Sequence, residues 1–464
     1  MARLVFILCI LLYSEVLVAQ KISSDIIEAK LLYFSSVGNA DSVTYYTNIA
    51  TKDELFTNKA LLAVGDFYLK QQQYAKALKY FEKSLQNNHY NPLLHYYLNI
   101  CYSNLGMYDQ QHFISKYYTE KQIEYYQYKK NKLENISFYS GGLISNNLSK
   151  NANMDITKGN RFYGRVDRTG SLYFNYLSIQ YRFKSRFTLM GSLNYNRING
   201  NQQFNYEYFL HTPPHKGDTA YSILQKSFKV MQPISYIQLA YVISKDIKVK
   251  LAYAVTNTAY SLLNPTPMEV HNNQFRNEQT TKFECTVGLM LQYRKPHYQV
   301  DVRGFVMPFS PLNFAPLLMR SDSDRTQLDA AFTYFPLQKN TLSIKVQGSW
   351  SNTQNSYAKL IYSYEINAQI IKKLWVNLQY QHNNLKNFID MEGAVVYNID
   401  DVIHSKLAAR FIYYLNKHIE LSIQYGFMNR TGNYKYIVRA GSPQYQNEYR
   451  YNNQILNGGL KWNF

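Results

Sequence analysis

Two periods divide the chain. From about Ser24 to Lys130, apolar residues recur three and four positions apart among Leu, Ala, Lys, Gln and Tyr, the spacing of helices packed on one face. From Asn135 to the end they recur at every second position, the period of a strand with one greasy and one wet side. The alternation is clear in Phe187, Leu189, Gly191, Leu193, Tyr195, in Phe283, Cys285, Val287, Leu289, Leu291, Tyr293 and in Ile419, Leu421, Ile423, Tyr425, Phe427. About fourteen such strands are predicted.

A soluble β-sandwich would alternate as well, but the rhythm of the connections here points to a barrel. Tight links at Lys184-Ser185, Ser244-Lys245-Asp246, Arg294-Lys295-Pro296, Gln338-Lys339-Asn340, Lys372-Lys373 and Asn416-Lys417 alternate with long ones near residues 148–170, 198–233, 261–280, 309–326, 386–402 and 431–449. A further connection near Thr353 to Asn355 is short. Transmembrane barrels combine short turns at the periplasmic end with long loops at the outer end. The expected fold class is therefore α+β: an N-terminal helical domain over residues 20–134, then a transmembrane antiparallel barrel over 135–464. An even strand count sends both barrel ends, and the helical domain with them, to the periplasm.

The last nine residues are Leu-Asn-Gly-Gly-Leu-Lys-Trp-Asn-Phe. Asn457, Gly459, Trp462 and Phe464 stand in the order polar, Gly, aromatic, aromatic, which resembles the C-terminal signal by which the barrel-assembly machinery recognises bacterial outer-membrane barrels. In the helical region, Gly65, Tyr68, Ala77, Phe81 and Ser84 have spacings that resemble a tetratricopeptide (TPR) repeat, where small residues let two antiparallel helices pack closely. A poorer copy starts at Pro92, with Asn99 and Gln111 where Gly and Ala are usual. The segment from Asp25 to Tyr46 reads as a degenerate earlier copy. Residues 1–19, with Arg3, an apolar run from Leu4 to Leu12 and Val18-Ala19, have the layout of a secretory signal peptide cleaved near Ala19.

Composition supports an exported barrel. There are 46 tyrosines, a residue that places its ring in lipid and its hydroxyl among head groups. After the signal only Cys101 and Cys285 remain, so no disulfide framework is implied. The net charge of +19 would ordinarily raise nucleic acid as a partner. Its basic residues are spread over turns and loops, however, and no nucleic-acid motif is present. Placed at tight turns, such residues suit anionic head groups.

The wet face would line a lumen. It carries Arg182, Lys248, Lys250, Glu284, Asp301, Arg303, Lys345, Lys359, Glu365, Arg410, Glu420 and Lys461. A Lys or Arg turned toward lipid at mid-depth would cost about 2–4 kcal/mol, so these side chains must face a protected interior. They could form the wall of a solute path or a set of ion pairs filling a closed one. The stretch from Met307 to Leu318, with Phe309, Leu312, Phe314 and Leu317, is too apolar to lie bare in water and is expected to fold into the barrel mouth as a constriction or to pack on another protein. No metal-ligand spacing, phosphate loop or nucleophile elbow occurs, and the ten histidines are scattered singly. Neither an enzyme nor a cofactor is expected.

A periplasmic TPR-like domain ahead of a C-terminal barrel resembles, in layout, the exopolysaccharide-export porins and the smaller YaiO-type barrel proteins. That resemblance implies a barrel in the bacterial outer membrane conducting or exporting a solute or polysaccharide, with outer-membrane lipid around it and a periplasmic protein docked on its helices. A plugged barrel serving as anchor and scaffold for an envelope assembly is the alternative.

Overall fold

A computed structural model describes residues 23–87, 89–125, 132–159, 162–183, 185–209, 219–263, 277–307, 325–353, 356–386, 388–390, 392, 395–396, 401–439 and 441–464. The chain divides into a helical unit ending at Tyr128 and a barrel unit beginning at Lys129. The expected signal peptide and the apolar stretch with Phe309, Leu312, Phe314 and Leu317 lie outside the described residues.

The helical unit comprises α1 (Ser24–Val37), α2 (Ala40–Lys52), α3 (Asn58–Lys70), α4 (Tyr74–Asn87), α5 (Pro92–Asn104), α6 (Tyr108–Ile114) and α7 (Glu120–Tyr125). Its boundaries are written in local chemistry. The side chains of Ser23, Asn39, Thr57 and Asn91 accept hydrogen bonds from backbone N–H groups of the first turns of α1, α2, α3 and α5. Pro92 opens α5, where its missing N–H costs nothing. Gly38, at φ 75°, ends α1 in the left-handed conformation.

Ile27, Leu31, Val64, Leu78, Phe81, Leu94, Leu98 and Tyr102 form one buried core through these helices. The Asn99 and Gln111 that replace the expected small residues bond each other, Gln111 Nε2 donating to Asn99 Oδ1. Burial pushes the Cys101 thiol up to about 12, so it stays protonated and packs as a small apolar group.

Gly65 sets the approach of α3 and α4. A Cβ there would lie 2.4 Å from Cε1 of Phe81, a fully buried ring stacked on Tyr97 at 4.9 Å. Gly65→Val should therefore destabilise this unit by about 1–3 kcal/mol, the usual penalty of overpacking. The check is a lowered melting temperature of the helical circular-dichroism signal of the full chain, with the β signal unmoved.

The barrel unit is a closed antiparallel barrel of fourteen strands. They are β1 (Lys132–Ser145), β2 (Tyr163–Phe183), β3 (Phe187–Phe209), β4 (Thr219–Val242), β5 (Ile247–Leu263), β6 (Asn277–Arg294), β7 (Tyr298–Met307), β8 (Arg325–Tyr334), β9 (Leu342–Thr353), β10 (Ser356–Ile371), β11 (Leu374–His382), β14 (Val402–Tyr414), β15 (Ile419–Ile437) and β16 (Tyr445–Asn463). Between β11 and β14 comes a small separate hairpin of β12 (Ile389–Asp390) and β13 (Val395–Val396). Each barrel strand pairs with its neighbour in sequence, and β16 pairs with β1 to close the ring, Phe138 opposite Leu460 and Gly141 opposite Asn457. Closure leaves no edge strand.

Alternate residues have opposite fates. Leu289 is 57 % exposed while its neighbour Met290 is 3 % exposed. The exposed face of the closed ring is its outside, and Leu189, Leu251, Val346, Leu378 and Ile423 stand there with it.

Two of the long loops expected from the sequence are strand instead. The 198–233 and 431–449 stretches extend β3, β4, β15 and β16 well beyond the rest of the ring. There β15 also pairs with β2, from Tyr434 opposite Val166 to Ile437 opposite Tyr163. These tips bury residues of both parities, such as Gln202, Gln203, Phe204 and Asn205 in succession, because they pack on one another. A segment buried on two faces loses the simple alternation that marks the rest, and so resembles a loop.

Candidate functional site

The inside of the ring is polar and paired. Lys461 reaches Glu420 at 3.8 Å, Lys345 reaches Glu365 at 3.9 Å, Arg303 reaches Asp301 at 3.6 Å and Arg325 reaches Glu284 at 3.6 Å. Arg182 is salt-bridged to Glu134. Arg410 donates to the Tyr139 hydroxyl at 2.7 Å and to Ser422 Oγ at 3.2 Å, with its guanidinium 4.9 Å from the centre of the Tyr139 ring. Lys359 shares the inward face of β10 with buried Ile361. Lys248 lies one inward position before Lys250 on β5.

Between these walls lie the described residues of the connection from β11 to β14, 383–386, 388–390, 392 and 395–396. Its base is held at β11, β14 and β8. Asn383 N donates to the His404 carbonyl, and Leu385 N to that of Ile403. Leu385 and Phe388 are fully buried with Ile361, Ile403 and Met428. Lys406 reaches Asp390 at 3.3 Å.

Gln327 of β8 treats Ile389 as a strand partner. Its Nε2 donates to the Ile389 carbonyl at 2.8 Å, and its Oε1 accepts from Ile389 N at 2.9 Å. The Ile389 side chain enters an apolar cluster of Tyr236, Ala252, Ala254, Met290, Phe305 and Met307, all buried.

The tip of the hairpin is tied to β4 and β5. Lys250 Nζ donates to both carboxylate oxygens of Glu392, at 2.6 and 2.9 Å. Gln238 Nε2 donates to Glu392 Oε2 at 2.7 Å, and the Tyr236 hydroxyl to the Glu392 carbonyl at 3.2 Å. In the ring, β10, β9, β8, β7 and β6 separate β11 from β5 on one side, and β15, β16, β1, β2 and β3 separate β14 from β4 on the other. Anchors at β11 and β14 and at β4 and β5 therefore lie across a diameter, and the hairpin bars the lumen from wall to wall. Lys250 is only three residues beyond the start of β5, so the bar reaches close to the short-turn end.

The long-loop end is drawn together beside it. Buried Arg168 donates to the Asn151 carbonyl and to Gln203 Oε1. Thr169 Oγ1 donates to Asp401 Oδ2 at 3.0 Å, and the Tyr451 hydroxyl to the same oxygen. In the loop before β2, Asp155 accepts from Thr157 N at 2.9 Å, Thr157 Oγ1 at 2.7 Å and Gly159 N at 2.9 Å. Those bonds, led by the Thr157 hydroxyl, hold its carboxyl below the usual range.

Among the sequence candidates, the structure pairs Lys345 with Glu365, Asp301 with Arg303 and Glu420 with Lys461. It gives Lys250 a partner in Glu392, which sequence reasoning left in a loop. Gln238, Gln327, Asp390 and Lys406 were also missed. The available signal was the run Leu385, Phe388, Ile389, Met391, Val395 and Val396, a density of apolar residues that an exposed loop has no reason to carry.

At the closing seam, Gly459 lies opposite Tyr139, and Trp462 and Phe464 stack outside at 5.9 Å. Among the described residues no group of three or more His, Cys, Asp or Glu could hold a metal ion, and no helix is long and apolar enough to cross a membrane.

No family model matches the sequence, and no curated protein does. Solved structures similar to this chain are outer-membrane β-barrel channels. The toluene transporter TodX of P. putida is 7 % identical with a TM-score of 0.44, over 72 % of this chain and 90 % of that one. A Pseudomonas aeruginosa FadL homologue is 8 % identical with a TM-score of 0.38, over 71 % and 90 %. A mutant of Rh. blastica porin is 11 % identical with a TM-score of 0.28, over 72 % and 100 %. The likeness is one of barrel architecture.

Proposed function

We propose that the protein is an outer-membrane channel held closed by its own hairpin. The placement in a membrane rests on the outer face. Near the short-turn ends it presents Tyr181, Tyr298, Tyr334, Tyr413 and Trp462, and a second aromatic row follows at Tyr195, Trp350, Tyr362 and Tyr380. Between the rows stand aliphatic residues such as Leu189, Leu193, Ile344 and Val346. On β3 the band runs from Phe187 to Tyr195, roughly 26 Å of strand at ~3.3 Å per residue. Tilted by about 40°, that spans about 20 Å, most of the ~25 Å apolar height of an outer-membrane barrel.

The observation that carries the channel reading is the hairpin in the lumen. An interior meant only to be solid could be filled by wall side chains, as in small barrels. Here, among the described residues, the filling is a loop segment joined to the far wall by one ion pair, a few hydrogen bonds and the side chain of Ile389, and therefore able to leave. Because β1 starts and β16 ends at the short-turn end, the helical unit belongs to the periplasmic side. Its TPR-like hairpins and the exposed Leu93, Tyr96 and Tyr125 suit docking of a partner protein. Export of a polysaccharide would require the hairpin to swing out entirely. The second reading, a plugged anchor for an envelope assembly, is favoured by the number of contacts that hold the loop.

Planar-bilayer recording divides them. The full chain should conduct rarely, and a chain with residues 387–397 replaced by a short Gly-Ser linker should conduct steadily. A linker variant that inserts, resists denaturation by cold detergent and passes no current leaves only the anchor.

A further inference from the structure

Resting on the channel reading, we infer that the lumen wall under the hairpin is a binding site for an acidic peptide bent at its carboxylate residue, and that the hairpin is its resident stand-in. The wall meets the hairpin as a receptor meets a peptide ligand. Gln327, 3 % exposed, offers one acceptor and one donor to the N–H and carbonyl of a single residue, the pairing that a neighbouring strand would make. The Tyr236 hydroxyl donates to a second peptide carbonyl three residues on.

Two pockets read side chains. One is the apolar cluster of Met290, Phe305, Met307, Ala252 and Ala254, which takes Ile389. The other is Lys250 with Gln238, which takes the carboxylate of Glu392 through three hydrogen bonds. Main-chain bonds give such a site affinity and its side-chain pockets give selectivity. A wall meant only to hold a plug would not need to address the peptide groups of that plug. A simple apolar solute would leave Lys250 without a carboxylate and the Gln327 side-chain oxygen without the N–H it accepts from, and a sugar would waste the apolar cluster. The ligand that fits is a peptide with an aliphatic residue and, three positions later, a carboxylate on a residue in the left-handed conformation, as Glu392 is at φ 57°. It would enter by displacing the hairpin, which presents the same groups from within the chain.

The test uses the full chain with residues 387–397 replaced by the Gly-Ser linker. The probe is the blocked synthetic peptide Phe-Ile-Asp-Met-Glu-Gly, the sequence of residues 388–393. It should block the open current in a concentration-dependent way. Lys250→Met or Gln327→Ala in the barrel, or Gln for Glu in the peptide, should each weaken the block at least tenfold, read as the fraction of each variant's own open current. A scrambled peptide that blocks equally well, or a block indifferent to both barrel substitutions, overturns the inference while the channel reading stands. If the linker variant carries no current, the channel reading fails by itself. Calorimetry of the same peptide against the same detergent-solubilised protein then decides the site: Lys250-dependent binding supports it and no binding overturns it.

Discussion

Replacing Gly459 with valine should leave most of the protein unable to close its barrel. Gly459 lies in the last strand directly opposite Tyr139 of the first, on the inner face, and a Cβ built on it would be 1.9 Å from Cδ1 of the Tyr139 ring. The ring cannot move aside freely, because its hydroxyl is held by Arg410 and Tyr176 lies 5.9 Å away. Overpacking a formed core costs about 1–3 kcal/mol, and here the cost falls on the one pairing that converts an open sheet into a ring. The fraction of protein in the compact, heat-modifiable form on cold gels should fall several-fold.

Gly458→Val is the control. Its Cβ would point outward and meet only the Ser422 carbonyl, at 3.8 Å, so folding should be nearly unchanged. Adding Tyr139→Ala to Gly459→Ala separates packing from recognition. If the ring is the obstacle, the double variant recovers what Gly459→Ala loses, a non-additivity that only touching residues show. If it does not recover, the defect lies in how the C-terminal strand is recognised during assembly. The same device recurs at Gly288 under Phe305, Gly200 under Phe228 and Gly432 under Tyr449, each an aromatic ring over its directly paired glycine.

The ring itself was legible because each of its strands obeys one local rule. With apolar side chains outside and polar groups within, parity along the chain decides the side, and Leu421, Ile423 and Tyr425 need no knowledge of their neighbours to declare themselves. The turn rhythm gave the strand number for the same reason. Legibility fails where burial is set by distant chain. Phe204 and Tyr206 are buried by Tyr163 and Leu263, and Tyr434 by Ile156 and Val166, so tips of β3 and β15 read as loops. The hairpin is the extreme case. Ile389 is placed by Gln327 and Glu392 by Lys250, contacts that span 62 and 142 residues and leave no period in the intervening sequence. Lys250 was recognisable as an inward cation, but its partner was not, because nothing local distinguishes Glu392 from any loop carboxylate.

Lys250→Met should raise the open probability of the full-chain channel by about ten- to a hundredfold. An exposed ion pair contributes ~0.2–1 kcal/mol, and breaking a fully buried one costs about 3–5 kcal/mol. The Lys250 and Glu392 side chains are 17 % and 33 % exposed, which places their pair between those limits, at about 1–3 kcal/mol. Each ~1.4 kcal/mol is a factor of ten in the balance between seated and released hairpin. In Lys250→Met the Glu392 carboxylate loses its direct ion pair, keeps the Gln238 amide and the charge of Arg303, and gains by moving to water, which unseats the tip. Glu392→Gln should open the channel less, because a neutral amide can still hydrogen-bond Gln238 while Lys250 turns toward the solvated lumen. The double variant, with no charge left unpaired, should open less than the two single effects multiplied together, with Asp390 still held by Lys406 in all three. Single-channel recording of the four proteins in one lipid and one salt gives the cycle directly. Equal open probabilities throughout would show that the tip of the hairpin is not what keeps the lumen shut.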